Sequence, residues 1–294
     1  MKQLLLSLIL LASHQSAFSQ VVINEYSCSN ITGPSDAYGE KEDWVELYNV
    51  TAAPIDLTGW YLSDKSSNLT KWMIPSGSIA SNGFKMVYCS NRNLVNGNEY
   101  HPNFTLSQTD GDWIILSNTF GNVVDSFKIV HMTKANHSVG RSTNAAVDFK
   151  LFTTPTPNAN NTGAQNFYIP TPVLSLQAGF YPNAQTVSIT CADPTATIRY
   201  TLDGSDPVAT STAYTGPITI STTKVLRAAA FGTGLTSFNT TNTYFINVSH
   251  TIPVVSVCSQ GVYNLVAQGS QNPPDRIGNK FKTFGFIETL CSFD

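Results

Sequence analysis

From residue 21 onward, short runs of β-branched and aromatic residues alternate with clusters of Gly, Pro, Asn and Ser. This is the pattern of an all-β chain built from many short strands. Strands are predicted over 21–26, 44–48, 55–62, 84–88, 112–116 and 123–129, with breakers such as Gly33-Pro34-Ser35, Pro75-Ser76-Gly77 and Ser81-Asn82-Gly83 between them. A second set is predicted over 186–190, 197–202, 218–220, 225–231 and 243–248. Helical periodicity is scarce throughout. Between the two sets the chain carries Pro155, Pro157 and several Asn, so residues 146–169 read as a linker with nothing to bury. Two β-sandwiches in tandem are expected, over 20–145 and 170–248, followed by a short stub at 249–294.

Within the first set, side chains on a strand alternate between faces. Trp44, Glu46 and Tyr48 then share one face, and Val45 and Leu47 share the other. Val45 and Leu47 are expected in the core, with Glu46 on a more solvated face. Asp56 and Gly59 flank Leu57-Thr58 ahead of Trp60. That spacing suits a tight turn in which Asp caps backbone donors and Gly takes positive φ. Glu25, Glu46 and Asp125 offer a paired-carboxylate or cation site as an alternative, but solvated strand carboxylates are the common case.

The ordered pieces Ile23-Asn24-Glu25, 43–49 (DWVELYN), 55–64 (IDLTGWYLSD), Trp72-Met73-Ile74-Pro75, 103–107 (NFTLS), 111–116 (GDWIIL) and 121–125 (GNVVD) together resemble the lamin-tail domain. The resemblance implies an immunoglobulin-like β-sandwich over about residues 20–145. Its motif residues Asn24, Glu25, Trp44, Glu46, Leu47, Asp56, Leu57, Gly59, Trp60 and Asp125 have structural explanations. A second group resembles the C-terminal module of chitobiase and hexosaminidase-type proteins. It comprises Pro172-Val173, 178–181, 187–189, 196–207, 214–218 and 224–228, and implies another small immunoglobulin-like sandwich, of a type that accompanies catalytic or adhesive domains. The run 250–257 resembles the opening strand of a CotH-type kinase-like domain, yet the residues that would hold phosphates and metal are not found in the remaining chain.

The start of the chain changes where the protein is expected to work. Lys2 precedes an apolar run over 4–12, and Ala17-Phe18-Ser19 places small residues at the positions a signal peptidase reads. Cleavage between Ser19 and Gln20 is expected, with a secreted, extracellular product and no transmembrane segment. Charged residues are 12% of the 294, with 16 basic against 19 acidic side chains. Such a balance gives no electrostatic footprint for nucleic acid.

Cys28, Cys89, Cys191, Cys258 and Cys291 lie at wide spacings without a CxxC, which disfavours zinc. Buried small hydrophobes are the favoured reading, with Cys28–Cys89 the first choice for a disulfide. The turn residues Asp203, Gly204, Ser205, Asp206 and Pro207 begin like a calcium loop, but Pro207 interrupts it and Tyr214 stands where the bidentate Glu belongs. A turn with Asp side chains capping amides accounts for the same letters. His101, His131, His137 and His250 have no carboxylate or Cys partner at a recognised spacing, and His131 and His137 are expected to face solvent. Eight N-x-[ST] sequons read as by-products of an Asn- and Thr-rich surface in a bacterial protein. No phosphate loop, dinucleotide fingerprint, HExxH or nucleophile elbow occurs.

The expected function is a secreted, non-catalytic binding or adhesion pair without cofactor, acting on an extracellular glycan or surface protein. The alternative is an accessory region of a CotH-type protein. Oligomeric state is not legible.

Overall fold

The computed structural model describes residues 19–248. The expected leader, apart from Ser19, and the expected CotH-like stub lie outside the described residues. Every regular element among the described residues is a β-strand. No helix there is long and apolar enough to cross a membrane.

Strand Val21–Ser27 is buried along its whole length, which requires cover on both faces of its sheet. It lies third in a seven-stranded sheet ordered Phe149–Phe152, Ser138–Arg141, Val21–Ser27, Trp44–Asn49, Phe84–Tyr88, Glu99–His101, Leu94–Asn96. Neighbours are antiparallel except Phe84–Tyr88 with Glu99–His101. Opposite stands a four-stranded sheet of Val123–Lys128, Trp113–Ser117, Tyr61–Ser63 and Trp72–Met73. Ile23, Val45 and Leu47 from the first sheet pack with Leu62, Trp72 and Leu116 from the second in one core. Trp44 points the other way, as alternation requires, but it is also fully buried, in a separate cluster with Met86 and Tyr88 on the outer face. The expectation of one solvated face fails here because more chain covers that face.

The run 55–62, expected as one strand, is broken into Ile55–Asp56 and Tyr61–Ser63. Asp56 Oδ1 accepts from Thr58 N at 2.8 Å and Thr58 Oγ1 at 2.6 Å, and Gly59 sits at φ +79°. The turn drops Leu57 into the core and sets Trp60 against its margin.

The expected linker is the largest correction. Phe149–Phe152 forms the edge strand of the seven-stranded sheet, in register with Ser138–Arg141. Residues 153–163 then fold back over the outer face of that sheet as a strap, and Gln165 bridges to Leu151. Composition suggested a chain with nothing to bury, but Asn161 is itself 3% exposed. Its polar groups are buried because the sheet supplies partners for them.

The second sandwich sets a five-stranded sheet, Gly179–Tyr181, Thr240–Ile246, Lys224–Phe231, Thr197–Thr201 and Thr212–Ala213, against two short pairs. The expected strand 186–190 divides at Ser188. Gln185–Val187 pairs with Ile218–Ile220, and Ile189–Thr190 pairs with Val173–Leu174. Val187 and Ile189 still share one core with Leu226 and Tyr244, because the period of two carries across the break.

Cys28 and Cys89 are both free and buried in the first core. The registers Ser27↔Trp44 and Trp44↔Tyr88 place them two strand spacings apart. That is about 9–10 Å, beyond the reach of a disulfide.

Candidate functional site

Ile23 pairs with Leu47, and Glu25 with Glu46, so Asn24 is an extra residue in a β-bulge. A bulge turns adjacent side chains toward one face, and here it brings Asn24 and Glu25 together above Glu46. All three have 0% exposure. The strap closes over them. In Pro155-Thr156-Pro157-Asn158 the two prolines lack N–H groups, so Thr156 and Asn158 supply the available backbone donors. Thr156 N donates to both oxygens of Glu25 at 3.0 and 3.1 Å, and Thr156 Oγ1 donates to Oε2 at 2.6 Å. Asn158 N donates to Glu46 Oε2 at 2.5 Å, from a positive φ of 60° that Asn tolerates.

From the sheet side, Ser138 Oγ donates to Glu25 Oε1 at 2.5 Å and Asn24 Nδ2 donates to Glu46 Oε1 at 3.0 Å. Asn24 Nδ2 also reaches Asn161 Oδ1 at 2.9 Å. Asn161 Nδ2 donates back to Asn24 O at 3.2 Å and Arg141 O at 2.6 Å. Gly140 makes room for this approach. A Cβ there would lie 2.8 Å from Asn24 O and 3.1 Å from Asn161 Nδ2.

Burial raises the Glu25 carboxyl, against the opposing hydrogen bonds from Ser138 and Thr156. Burial also pushes Glu46 up to about 7, with the Glu25 charge adding to the rise and the bonds from Asn24 and Asn158 opposing it. Glu46 is therefore not on a solvated face. Asp125 does not join the pair. Strand Ser138–Arg141 pairs with Val21–Ser27 only at Glu25 and Tyr26, which leaves the main-chain groups of Ile23 to side chains. Asp125 Oδ2 accepts from Ile23 N at 2.7 Å and Arg141 Nη2 at 2.8 Å, while Arg141 Nε donates to Ile23 O at 2.8 Å. Among the described residues no group of three His, Cys, Asp or Glu is placed to hold a metal.

Sequence reasoning missed a second polar cluster. His101 is fully buried, with its ring between Tyr38 and Tyr88 at centroid distances of 5.6 and 5.9 Å. Its Nδ1 lies 3.0 Å from Ser90 Oγ and 4.0 Å from Asp36 Oδ2, and its Nε2 lies 3.4 Å from Glu99 Oε2. Glu99 and His101 are two apart on one strand and so share a face, a signal available in the sequence. Asp36 arrives from a distant loop and was not. The expectation that His131 and His137 face solvent also fails. His131 stacks on Phe167 at 3.8 Å, and His137 Nδ1 lies 2.6 Å from Tyr168 OH. Burial lowers both imidazoles, and the neighbouring Lys134 charge lowers His137 further.

These residues lead to the junction between the sandwiches. Lys134 Nζ donates to Thr236 O at 2.9 Å and Ser237 O at 3.0 Å, and lies over the rings of Tyr168 and Phe238. Beside the junction runs an open groove of about 490 Å³, lined by Ser142, Lys150, Gln165 and Asn166 on one side and Thr233 and Gly234 on the other. Lys150 Nζ donates to Asn166 Oδ1 at 3.1 Å, and Gln165 Nε2 to Thr153 Oγ1 at 2.9 Å.

In the second sandwich Asp203 Oδ1 accepts from Ser205 N at 3.0 Å and Ser205 Oγ at 2.6 Å, with Gly204 at φ +80° against Val225. Asp206 pairs with Arg227 at 2.6 Å, and Pro207 is buried beside it. The two Asp side chains thus serve a turn and an ion pair.

No curated protein matches the chain. Residues 14–131 match the family model of the Lamin Tail Domain, and residues 176–243 match that of the Chitobiase/beta-hexosaminidase C-terminal domain. The strap and the two strands that lead into it, Ser138–Arg141 and Phe149–Phe152, lie between the matched spans, whereas Glu25 and Glu46 lie within the first. With an all-β fold of two sandwiches in the same order, the chain carries a lamin tail domain followed by a chitobiase/beta-hexosaminidase C-terminal domain, both immunoglobulin-like.

Proposed function

We propose that this chain is a secreted, non-catalytic binding or adhesion pair of a bacterial cell surface, whose ligand is a polysaccharide or another surface polymer. The groove between the sandwiches carries this reading. It is lined by two hydroxyls, two carboxamides and one ammonium beside the apolar Ala164 and Leu235, a mix that suits the polar edges and apolar faces of a sugar chain lying across it. Ligand sites occur preferentially at domain junctions, and both walls here stand on strands or on segments tied to them. Domains of these two families are consistent with a binding module.

The test is a glycan array probed with the full chain and with Lys150→Ala/Gln165→Ala. Binding to a defined set of glycans is expected, weakened about tenfold by losing two polar contacts of ordinary strength. Unchanged binding in the double variant would move the site elsewhere, and no binding to any glycan would refute the polysaccharide reading. Purified protein is expected to turn over neither ATP nor model glycosides above a buffer blank.

A further inference from the structure

The strap is held to the sheet through two carboxylates and the Asn161 carboxamide, with no cation among its partners in the described residues. Glu25 and Glu46 stand directly opposite each other on neighbouring strands, both shut off from water. Residues 153–163 contain no ionisable side chain. From the adjoining strand, Ser138 and Gly140 face the pair, while the Arg141 guanidinium is committed to Asp125 and to the carbonyls of Ile23 and Ala146. On the other flank the residue opposite Glu46 is Met86. Among the described residues, the only titratable group facing each carboxylate is therefore its partner. Two fully buried carboxylates on directly opposed positions of neighbouring strands, with no counter-ion among the described residues, do not both ionise at neutral pH.

Hydrogen-bond chemistry decides where the proton sits. Glu46 is met by the Asn158 N–H and the Asn24 amide NH₂, which act as donors here, so a proton on Glu46 would orphan one of them. Glu25 is met by the Thr156 N–H, which reaches both of its oxygens and can be met by the unprotonated one, and by two hydroxyls, Ser138 and Thr156, which can rotate from donating to accepting. A protonated Glu25 therefore keeps its partners.

We propose that Glu25 and Glu46 share one proton, seated on Glu25, and that its loss releases residues 153–163 from the sheet, making the strap a proton-controlled latch. After release, a second negative charge would lie under the strap with no group of opposite sign to meet it. Burial raises both carboxyls, Glu46 up to about 7. A folded state that holds more protons than the unfolded one is stabilised at low pH, so this contribution is complete below about 4.5 and is lost as pH rises through the raised titration of the pair. The strap continues into Gln165, which bridges to Leu151 and lines the groove. Loosening of that groove rests on the proposed function, whereas the latch does not.

Hydrogen exchange of the Thr156 and Asn158 amides in the full chain, corrected for intrinsic rates, tests the latch without any ligand. In the unmodified chain, protection is expected to fall by up to about tenfold per pH unit above neutrality, while the amide of Leu47 keeps its own. Glu25→Gln, which mimics the protonated side chain, is expected to give a strap protected at every pH. Glu46→Gln is expected to loosen it at every pH. Protection independent of pH in the unmodified chain, or a protected strap in Glu46→Gln with a loosened one in Glu25→Gln, would overturn the proposal. Should Glu25→Gln not fold, side-chain carboxyl ¹³C shifts of the unmodified chain decide. Titration of Glu25 above the ordinary carboxylate range supports the latch, and its absence sinks it.

Discussion

Replacing Asp125 by alanine is expected to lower the stability of the first sandwich by about 3 kcal/mol, the scale for breaking a largely buried ion pair. Asp125 Oδ2 is the acceptor for both Ile23 N and Arg141 Nη2. Its loss leaves a guanidinium whose side chain is only 11% exposed without its counter-charge. It also orphans a backbone donor at the point where strand pairing ends. The Arg141 plane stacks over Phe149 at 4.9 Å, and Phe149 in turn stacks on Phe127 at 4.0 Å, so the guanidinium has little freedom to turn toward water. Asp125→Asn keeps one acceptor and is expected to cost about half as much. Urea denaturation read by tryptophan fluorescence measures both. A loss below about 1 kcal/mol for the alanine variant would mean that water reaches Arg141 and replaces the carboxylate.

Gly140→Val is expected to strip the strap from the sheet and open it to proteases. The new Cβ alone would sit 2.8 Å from Asn24 O, 3.0 Å from Glu25 Cγ and 3.1 Å from Asn161 Nδ2. Two of those atoms belong to well-packed residues of the sheet, so the yielding partner is Asn161, the anchor of the strap. Overpacking costs about 1–3 kcal/mol, and detachment adds the loss of the Asn161 bonds to Asn24 O and Arg141 O. At mildly acidic pH, where the shared proton is in place, the unmodified chain is expected to resist limited proteolysis between 153 and 163, because those residues are bonded to the sheet instead of hanging between domains. The variant is expected to be cut there while Gly140→Ala shows a smaller gain. Ready cleavage of the unmodified chain in this interval would show that the strap is not held.

Those two expectations concern residues that read very differently along the chain. The burial of Val45 and Leu47 and the turn at Asp56 and Gly59 could be read from the sequence, because strand alternation and positive φ are local properties of a few consecutive residues. The separate strands around Ser188 and the break after Asp56 were blurred, since a continuous apolar pattern does not say where a strand changes partner. Asn24, Glu25 and Glu46 were visible as a motif, but the face they occupy was misjudged. Alternation assigns Glu46 and Trp44 to one side, and says nothing about whether that side is wet.

What the sequence determined by itself was the β class, the two-sandwich order and the turns, all of which follow from period-two patterning and backbone preference within short windows. The tertiary structure alone decided that the Pro- and Asn-rich segment is a strap and that the carboxylates beneath it are buried. The strap donors that meet Glu25 and Glu46 come from 131 and 112 residues away. The acidic partner of His101 in the loop comes from 65 positions upstream, within reach of Nδ1 at 4.0 Å. Desolvation depends on which distant segment closes over a face, and a polar, uncharged stretch looks like a solvated linker until the sheet's acceptors claim its N–H groups.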